Sequence, residues 1–277
     1  MAFYSIIITV LFSLLTTHEI GIGRYLNALT PILSNQYWYF TAYFGMFCII
    51  PCLNLVIEHM RKKQFQILLL NFGIWFSILP TLMQVDSFKL SNGYSMIWLS
   101  IMYMVGAYIK KYVDVSNLSK KKTFIIYLLV CLGTWGNKYV IEMLTFKIFG
   151  ESRFGNIFIN YVSPTIIISA IALFLFFLKV DIQNEFANKI IKILATVSFS
   201  VYLIHTHPLV FEYILKDHFI VYLDYSPLGL VAAVLLTTMG IYILCSMIDY
   251  IRVALFKLLH LEERCIYMVE RVKEKFL

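Results

Sequence analysis

Charge is scarce in this sequence. Only 14% of the 277 residues are charged, 60% are apolar, and the mean hydropathy is +0.79. Soluble domains carry about 25% charged residues, so a soluble globular protein is excluded. Disorder is excluded as well, because the chain contains 23 Phe and 19 Tyr. The length allows one or two domains, and the composition predicts a polytopic membrane protein.

The usual sequence signals of soluble catalytic domains are also missing. The chain has no Gly-rich phosphate loop, no serine-elbow motif and no paired-histidine metal helix. Its five cysteines lie in or beside apolar runs, without zinc or redox spacing, so we interpret them as buried thiols and predict no metal site. These cysteines are Cys48, Cys52, Cys131, Cys245 and Cys265.

Long apolar runs are what the sequence does contain. They predict an all-α, polytopic transmembrane helix bundle of about eight spans, which occupies residues 1–248. Residues 249–277 mix basic, acidic and apolar positions at helical spacing, which predicts an amphipathic helix on the inner membrane surface. The predicted spans are Ala2–Thr17, Gln36–Ile57, Phe65–Gln84, Tyr94–Val113, Thr123–Phe146, Ile157–Leu178, Ile190–His207 and Pro227–Ile248.

The basic residues are segregated between the connections. Most of the 23 lysines and arginines follow the second, fourth, sixth and eighth spans, whereas the alternate connections hold few. This is the positive-inside pattern, and it places both chain termini in the cytoplasm. The net charge of +7 is therefore a topology signal, with membrane lipid as its partner, and we predict no nucleic-acid binding.

Two ionisable residues lie within the fifth span. Lys138 and Glu142 are four residues apart, so they share one helix face and can pair. Lys138 is about 22 Å along the axis from Thr123, in the outer part of the membrane. Two interpretations stay open at this point: a paired site at the interface, from which lysine reaches water, or a substrate-binding site.

Histidines end the seventh span. His205 and His207 stand just before Pro208, which stops or bends the helix. Neutral imidazole suits general-base work on a hydroxyl group. The alternative is a histidine whose polar atom is satisfied by a backbone carbonyl. On the residues alone, the alternative is the better account.

Aromatic residues open the second span. Tyr37, Trp38 and Tyr43 can form part of the aromatic belt that marks membrane interfaces. The residues alone therefore predict a membrane protein with polar groups near its outer face. It leaves open whether the protein is an enzyme or a transporter.

Four segments resemble one known family. The run from Gln36 to Asn54, QYWYFTAYFGMFCIIPCLN, is similar to a segment of the membrane-bound acyltransferase-3 family. Three later segments follow in the same order: WLSIMYMVGAYI from Trp98, YVSP with LFLFF from Tyr161, and SFSVYLIH ending at His205. That family includes O-acetyltransferases of bacterial capsule, exopolysaccharide and O-antigen.

The resemblance implies a multi-pass protein of the bacterial plasma membrane. It would transfer an acetyl group from acetyl-CoA, with no bound cofactor, to a hydroxyl of a surface polysaccharide or of its lipid-linked oligosaccharide precursor. His205 would orient the acceptor, while Tyr37, Trp38 and Tyr43 would stack against sugar. Tyr202 would pack beside His205, and Lys138 with Glu142 would complete the candidate substrate-binding set.

The resemblance also indicates a departure from the family. The family's catalytic histidine has no counterpart at a matching position, and Tyr4-Ser-Ile-Ile-Ile resembles the start of the family's third span. We therefore expect the family's first helices to lie upstream of Met1, and we leave the activity of the 277-residue chain open. A flippase for a lipid-linked sugar, with Lys138 and Glu142 along its path, and an inactive remnant are the alternatives.

Overall fold

The computed structural model describes residues 1–16, 20–261, 263–264, 266–267 and 270–271. Every regular element in these ranges is helical, which confirms the predicted all-α membrane bundle. Five stretches are long and apolar enough to cross a membrane. They are Trp38–His59, Lys62–Met83, Lys120–Phe149, Glu185–His205 and Pro227–Leu258.

The other three predicted spans coincide with shorter helices. These are α1 (Ala2–Leu15), α6 (Met96–Tyr112) and α8 (Pro164–Leu178). Helix α8 has 15 residues and is therefore about 22 Å long, whereas a bilayer core is about 30 Å thick. It starts seven residues later than predicted because Pro164 opens its first turn. The number of spans and the side of each terminus stay predictions.

The chain divides into two compact units. The first unit comprises Met1–Tyr37 and Ile182–Leu277, and the second comprises Trp38–Asp181. The first unit contains α1, α2 (Ile22–Leu29), α9 (Glu185–His205), α10 (Pro208–Val210) and α11 (Pro227–Leu258). A π-helical segment, Phe211–Leu215, continues α10, and a 3₁₀ turn, Ile220–Asp224, precedes α11.

A buried charged cluster holds α1 against α11. The Asp249 side chain, in a residue only 2% exposed, accepts hydrogen bonds from the Tyr4 hydroxyl and, at 2.6 Å, from Arg252 Nε. Arg252 Nε also lies 3.1 Å from the Tyr4 hydroxyl oxygen. Helix α11 also continues through Asp249 to Leu258 without a break. The sequence predicted that a separate surface helix begins at Asp249. Residues 262, 265, 268, 269 and 272–277 of that predicted tail lie outside the described residues.

The second unit contains the remaining helices. They are α3 (Trp38–His59), α4 (Lys62–Gly73), α5 (Leu79–Met83), α6, α7 (Lys120–Phe149) and α8. A π-helical segment, Ile74–Ile78, joins α4 to α5. Pro80 explains it, since proline offers no N–H to the preceding turn and its ring crowds that turn's carbonyl.

Lysines cap one end of the second unit. Lys111 Nζ donates to the Ile57 and Glu58 carbonyls, at 2.7 and 3.0 Å, at the C-terminal end of α3. Lys179 Nζ, just beyond α8, donates to the Val115 carbonyl at 3.0 Å. The connections that carry most of this unit's lysines therefore meet at one end of it, as the positive-inside pattern requires. The apolar helix faces stay uncovered, with Trp135 of α7 70% exposed, as is typical of lipid-facing surfaces.

Candidate functional site

The end of helix α9 turns sharply between two histidines. Asn184 caps the start of α9 by accepting a hydrogen bond from the Ala187 amide at 3.0 Å, and the helix ends at His205. His207 then becomes the cap of α10, whose first residue is Pro208. Two imidazoles are thereby placed on either side of a helix end.

His205 is held by its own helix. Its Nδ1 lies 2.7 Å from the Val201 carbonyl oxygen, and the ring is half-buried. A carbonyl only accepts, so Nδ1 of the neutral ring carries the proton and Nε2 presents a lone pair. The ring of Tyr202 stands edge-on to it, with centroids 6.3 Å apart. This backbone contact is the predicted alternative to a catalytic role, yet it leaves Nε2 able to accept a proton or a hydrogen bond.

His207 has the opposite tautomer. Its Nδ1 accepts a hydrogen bond from the Leu209 amide at 3.2 Å, so Nε2 of the neutral ring carries the proton. The residue is 1% exposed, and Nε2 makes no well-aligned hydrogen bond to the described residues, although the Ser5 backbone lies close to the ring. A donor is therefore buried without a well-aligned acceptor.

Tyr37 is packed beside His207. The two rings are 6.2 Å apart, and Tyr37 is also 1% exposed. Its hydroxyl, like His207 Nε2, makes no well-aligned hydrogen bond in the described part of the chain, although the Ser5 side chain lies close to it. Buried polar atoms in proteins are nearly always hydrogen-bonded. The Tyr37 hydroxyl and His207 Nε2, which lack well-aligned bonds and lie side by side, therefore indicate a place for a ligand or a water molecule. We call Tyr37, Tyr202, His205 and His207 the histidine cluster.

Helix α1 contributes the support for this cluster. Ser5, which is fully buried, donates from its hydroxyl to the Gln36 side-chain oxygen at 2.8 Å. This bond fixes the segment immediately before Tyr37. Thr9 lies one turn further along α1 and donates to the Ser5 carbonyl at 2.8 Å. The position of Tyr37 therefore depends on residues far from it in the sequence.

The three aromatic residues that were predicted to stack against sugar have different surroundings. Tyr37 is buried in the first unit, so its ring offers no open face to a sugar. Trp38 begins α3 of the second unit, and Tyr43 is exposed on that helix, with its ring stacked 6.3 Å from that of Tyr39. Trp38 and Tyr43 stay candidates for stacking against sugar, and a sugar contact of Tyr37 stays a prediction.

Trp38 belongs to an aromatic cluster of the second unit. Its ring centroid lies 4.2 Å from that of Tyr94 and 6.3 Å from that of Tyr161. Tyr94 and Tyr161 are 5.1 Å apart. Gly93 makes this arrangement possible, because its φ is +99° and an added Cβ would lie 2.5 Å from the Tyr161 Cβ. We call Trp38, Tyr94 and Tyr161 the aromatic cluster.

Lys138 and Glu142 are paired, as their spacing predicted. Lys138 Nζ lies 3.5 Å from Glu142 Oε1 and 3.3 Å from Asn156 Oδ1, and both charged side chains are about one-third exposed. Glu142 also lies against Gly155, where an added Cβ would meet its carboxylate. These contacts connect the segment after α7 to that helix. They favour the first of the two interpretations, a paired site at the interface. Their part in substrate binding stays a prediction.

Sequence reasoning missed the Tyr4–Asp249–Arg252 cluster. The available signal was Asp249 itself, an acidic residue that follows a long apolar run, where an ionisable group needs a partner. The partner could not be named, since Tyr4 is at the other end of the chain.

The comparison with family models decides the relationship. Residues 1–247 match the acyltransferase domain of acyltransferase family 3. The chain belongs to acyltransferase family 3. Comparisons with curated proteins and with solved structures gave no match.

Membership of acyltransferase family 3 confirms the resemblance seen in the four sequence segments. The match includes helices α1 to α10 and most of α11, so both units contribute to the domain. Together with the apolar helices, it makes this chain a membrane protein of an acyltransferase family. The histidine cluster lies wholly within the matched residues and is the candidate functional site.

Proposed function

We propose that this acyltransferase family 3 member transfers an acetyl group from acetyl-CoA to a sugar hydroxyl. The acceptor is a bacterial surface polysaccharide, such as capsule, exopolysaccharide or O-antigen, or its lipid-linked oligosaccharide precursor. The reaction takes place in the bacterial plasma membrane. One observation carries the proposal: the histidine cluster holds two buried polar atoms without well-aligned hydrogen bonds, beside an imidazole whose Nε2 presents a lone pair.

Acyl transfer from a thioester needs such groups. The acceptor oxygen attacks the thioester carbonyl, its proton is removed, and the tetrahedral oxyanion then collapses with loss of the CoA thiolate, which takes up a proton. Donors that are fixed before reaction and aimed at the oxyanion stabilise it. His207 Nε2–H and the Tyr37 hydroxyl are two buried donors that could serve in this way.

His205 has a supporting part in this scheme. Its Nε2 lone pair accepts a hydrogen bond from the acceptor hydroxyl and orients that oxygen toward the acyl carbon. The resemblance implies a general base on a helix that has no counterpart at a matching position in this sequence. We therefore assign His205 to orientation and Tyr202 to packing against its ring.

The test is acetylation in isolated membranes. Membranes that contain the 277-residue chain, or a version extended by any in-frame upstream codons, are supplied with radiolabelled acetyl-CoA and with extracted capsule, exopolysaccharide and O-antigen. We expect alkali-labile label on one acceptor with at least one version. If neither version labels any of the three acceptors, the proposed activity is refuted.

A variant assigns the activity to the site. His205→Ala, made in whichever version is active, should lower the rate of acetylation while the amount of protein in the membrane is unchanged. An unchanged rate would dismiss the role of His205 but not the activity.

A further inference from the structure

A polar cavity lies in the second unit, at the end opposite to its capping lysines. It has a volume of about 240 Å³ and lies between the C-terminal end of α5 and the segment that leads into α8. The sequence predicts the outer side of the membrane for this end. The polar part of its lining consists of Thr81, Gln84, Asp86, Asn92 and Asn160.

The wall of the cavity is formed in advance of any ligand. Both carboxylate oxygens of Asp86 accept backbone hydrogen bonds, from Leu90 at 2.7 Å and from Ser91 at 2.6 Å. Gln84 donates from its amide to the Thr81 carbonyl at 2.5 Å. The Asp86 charge is thus used to fix the loop, and a ligand would find the site already ordered, which lowers the entropic cost of binding.

Other polar groups also line the cavity. Thr81 is 3% exposed, and its hydroxyl has no hydrogen-bond partner among the described residues. Asn92, which is exposed, and Asn160, which is half-buried, line the same cavity with their side-chain amides. A hydroxyl and two amides can each donate and accept, so the cavity offers both kinds of hydrogen bond at once. A buried hydroxyl left unpaired is costly unless water or a ligand completes it.

We propose that this cavity is a subsite for one neutral sugar ring of the acceptor glycan, an inference that rests on the proposed function. A dry cavity of about 150 Å³ holds a benzene molecule, so 240 Å³ has room for a six-membered ring with hydroxyl groups. Sugar hydroxyls donate and accept, and they can therefore bond to the buried Thr81 hydroxyl and to the Asn92 and Asn160 amides. Apolar residues that also line the cavity, among them Pro80 and Val162, suit the C–H faces of the ring.

The charge of the lining favours a neutral ligand. Its described residues include one carboxylate and no lysine or arginine. The phosphates of acetyl-CoA would therefore find no cation there, whereas phosphate sites normally supply one. This argues for the acceptor rather than for the acyl donor.

The aromatic cluster adjoins the cavity along the chain. Asn160 directly precedes Tyr161, and Asn92 is two residues before Tyr94. Tyr94 is 45% exposed and Tyr161 is 50% exposed, so both rings offer apolar surface at this end of the unit. A glycan whose one ring occupies the cavity can pack its next ring there.

The test is direct binding in the absence of acetyl-CoA. The 277-residue protein in lipid nanodiscs is examined by saturation-transfer NMR with three neutral trisaccharides: maltotriose, mannotriose and chitotriose. We expect saturation transfer to at least one of them. Thr81→Val and Asn160→Ala should each weaken that binding at least fivefold, because each removes hydrogen-bonding groups of the cavity.

Two matched variants are the controls. Thr238→Val and Asn71→Ala remove the same groups from exposed positions on α11 and α4, and should leave binding within twofold. Inorganic phosphate should not compete. The subsite is refuted if no trisaccharide shows transfer, if the cavity variants bind as the parent does, or if the controls weaken binding equally. If Thr81→Val does not fold, Asn160→Ala decides.

The result separates the subsite from the proposed reaction. Sugar binding that depends on Thr81 and Asn160, without acetylation of any polysaccharide, keeps the subsite and removes the reaction. Acetylation that is unaffected by both variants, without sugar binding, keeps the reaction and removes the subsite.

Discussion

The ring of Tyr37 lies 6.2 Å from the ring of His207, at an angle of 63°, and both side chains end in buried polar atoms without well-aligned hydrogen bonds in the described part of the chain. Each unpaired atom costs about 1–3 kcal/mol of stability. Phenylalanine and leucine would fill the same space without that cost. The two polar atoms therefore lower the stability of the fold at this place. Such a local loss of stability is typical of ligand-binding sites.

Removal of the Tyr37 hydroxyl should lower the acetylation rate without lowering the stability of the fold. Tyr37→Phe is expected to leave the free energy of unfolding unchanged or to raise it by about 1 kcal/mol, because no hydrogen bond is lost. The acetylation rate should fall at least tenfold. Unfolding in mixed detergent micelles and labelled acetyl transfer measure the two effects.

Tyr4→Phe is the matched control for that variant. The Tyr4 hydroxyl is as well buried but bonds to Asp249, so its removal should lower stability by about 1–3 kcal/mol. The acetylation rate per folded molecule should not change. If Tyr37→Phe proves the less stable of the two, the hydroxyl of Tyr37 is hydrogen-bonded within the protein. Its proposed availability to a ligand would then be refuted.

His205→Asn should fold normally and lose activity. The asparagine amide can occupy the place of Nδ1 and keep the bond to the Val201 carbonyl, but nothing replaces the Nε2 lone pair. We expect wild-type thermal stability and a fall of up to about 10²-fold in acetylation rate, the size of effect that a misplaced reactant can have. Activity equal to that of the parent would show that only the backbone contact matters.

Gly93→Ala should disturb the aromatic cluster. At φ +99°, a new Cβ would stand 2.5 Å from the Tyr161 Cβ, and the strained backbone adds to the clash, so we expect a loss of about 3 kcal/mol in unfolding free energy. Gly106→Ala in α6 meets nothing within 4 Å and should be neutral or stabilise by about 0.5–1 kcal/mol. Equal stability of the two variants would contradict the geometry at Gly93.

Asp249→Ala should destabilise the first unit strongly. It leaves Arg252 without its carboxylate, and removal of one partner from a buried ion pair costs about 3–5 kcal/mol. Glu212→Ala breaks an ion pair with Arg24 whose side chains are 46% and 42% exposed, so the expected change is below about 1 kcal/mol. The same unfolding measurement compares the two, and similar losses would mean that burial does not govern the Asp249 pair.

The sequence predicted the histidine cluster only in part. His205 and His207 were visible because ionisable groups are rare within predicted membrane spans. Their opposite tautomers were not, since these depend on the Val201 carbonyl and the Leu209 amide and thus on the turn between the helices. Tyr37 and Trp38 looked equivalent in the sequence, but Tyr37 is 1% exposed and lies beside His207, whereas Trp38 begins α3 and packs against Tyr94.

Long apolar helices were the most predictable feature of the fold, because a run of about twenty apolar residues matches the thickness of the bilayer core when it is helical. The polar cavity of the second unit was the least predictable. Thr81, Asn92 and Asn160 follow no periodic pattern, and two of them lie in irregular segments. The closure of the loop on Asp86, together with the bond from the Ser77 hydroxyl to the Val162 carbonyl, holds these segments together.

Lys111 shows that a residue can set orientation and architecture together. Its ammonium group holds the last carbonyls of α3, in addition to its place among the cytoplasmic charges predicted from the pattern of lysines. Experiments that reverse the insertion of a membrane protein by moving lysines would, at this position, also fray a helix end. Lys110 or Lys121, both exposed, are the residues to move if insertion alone is to be studied.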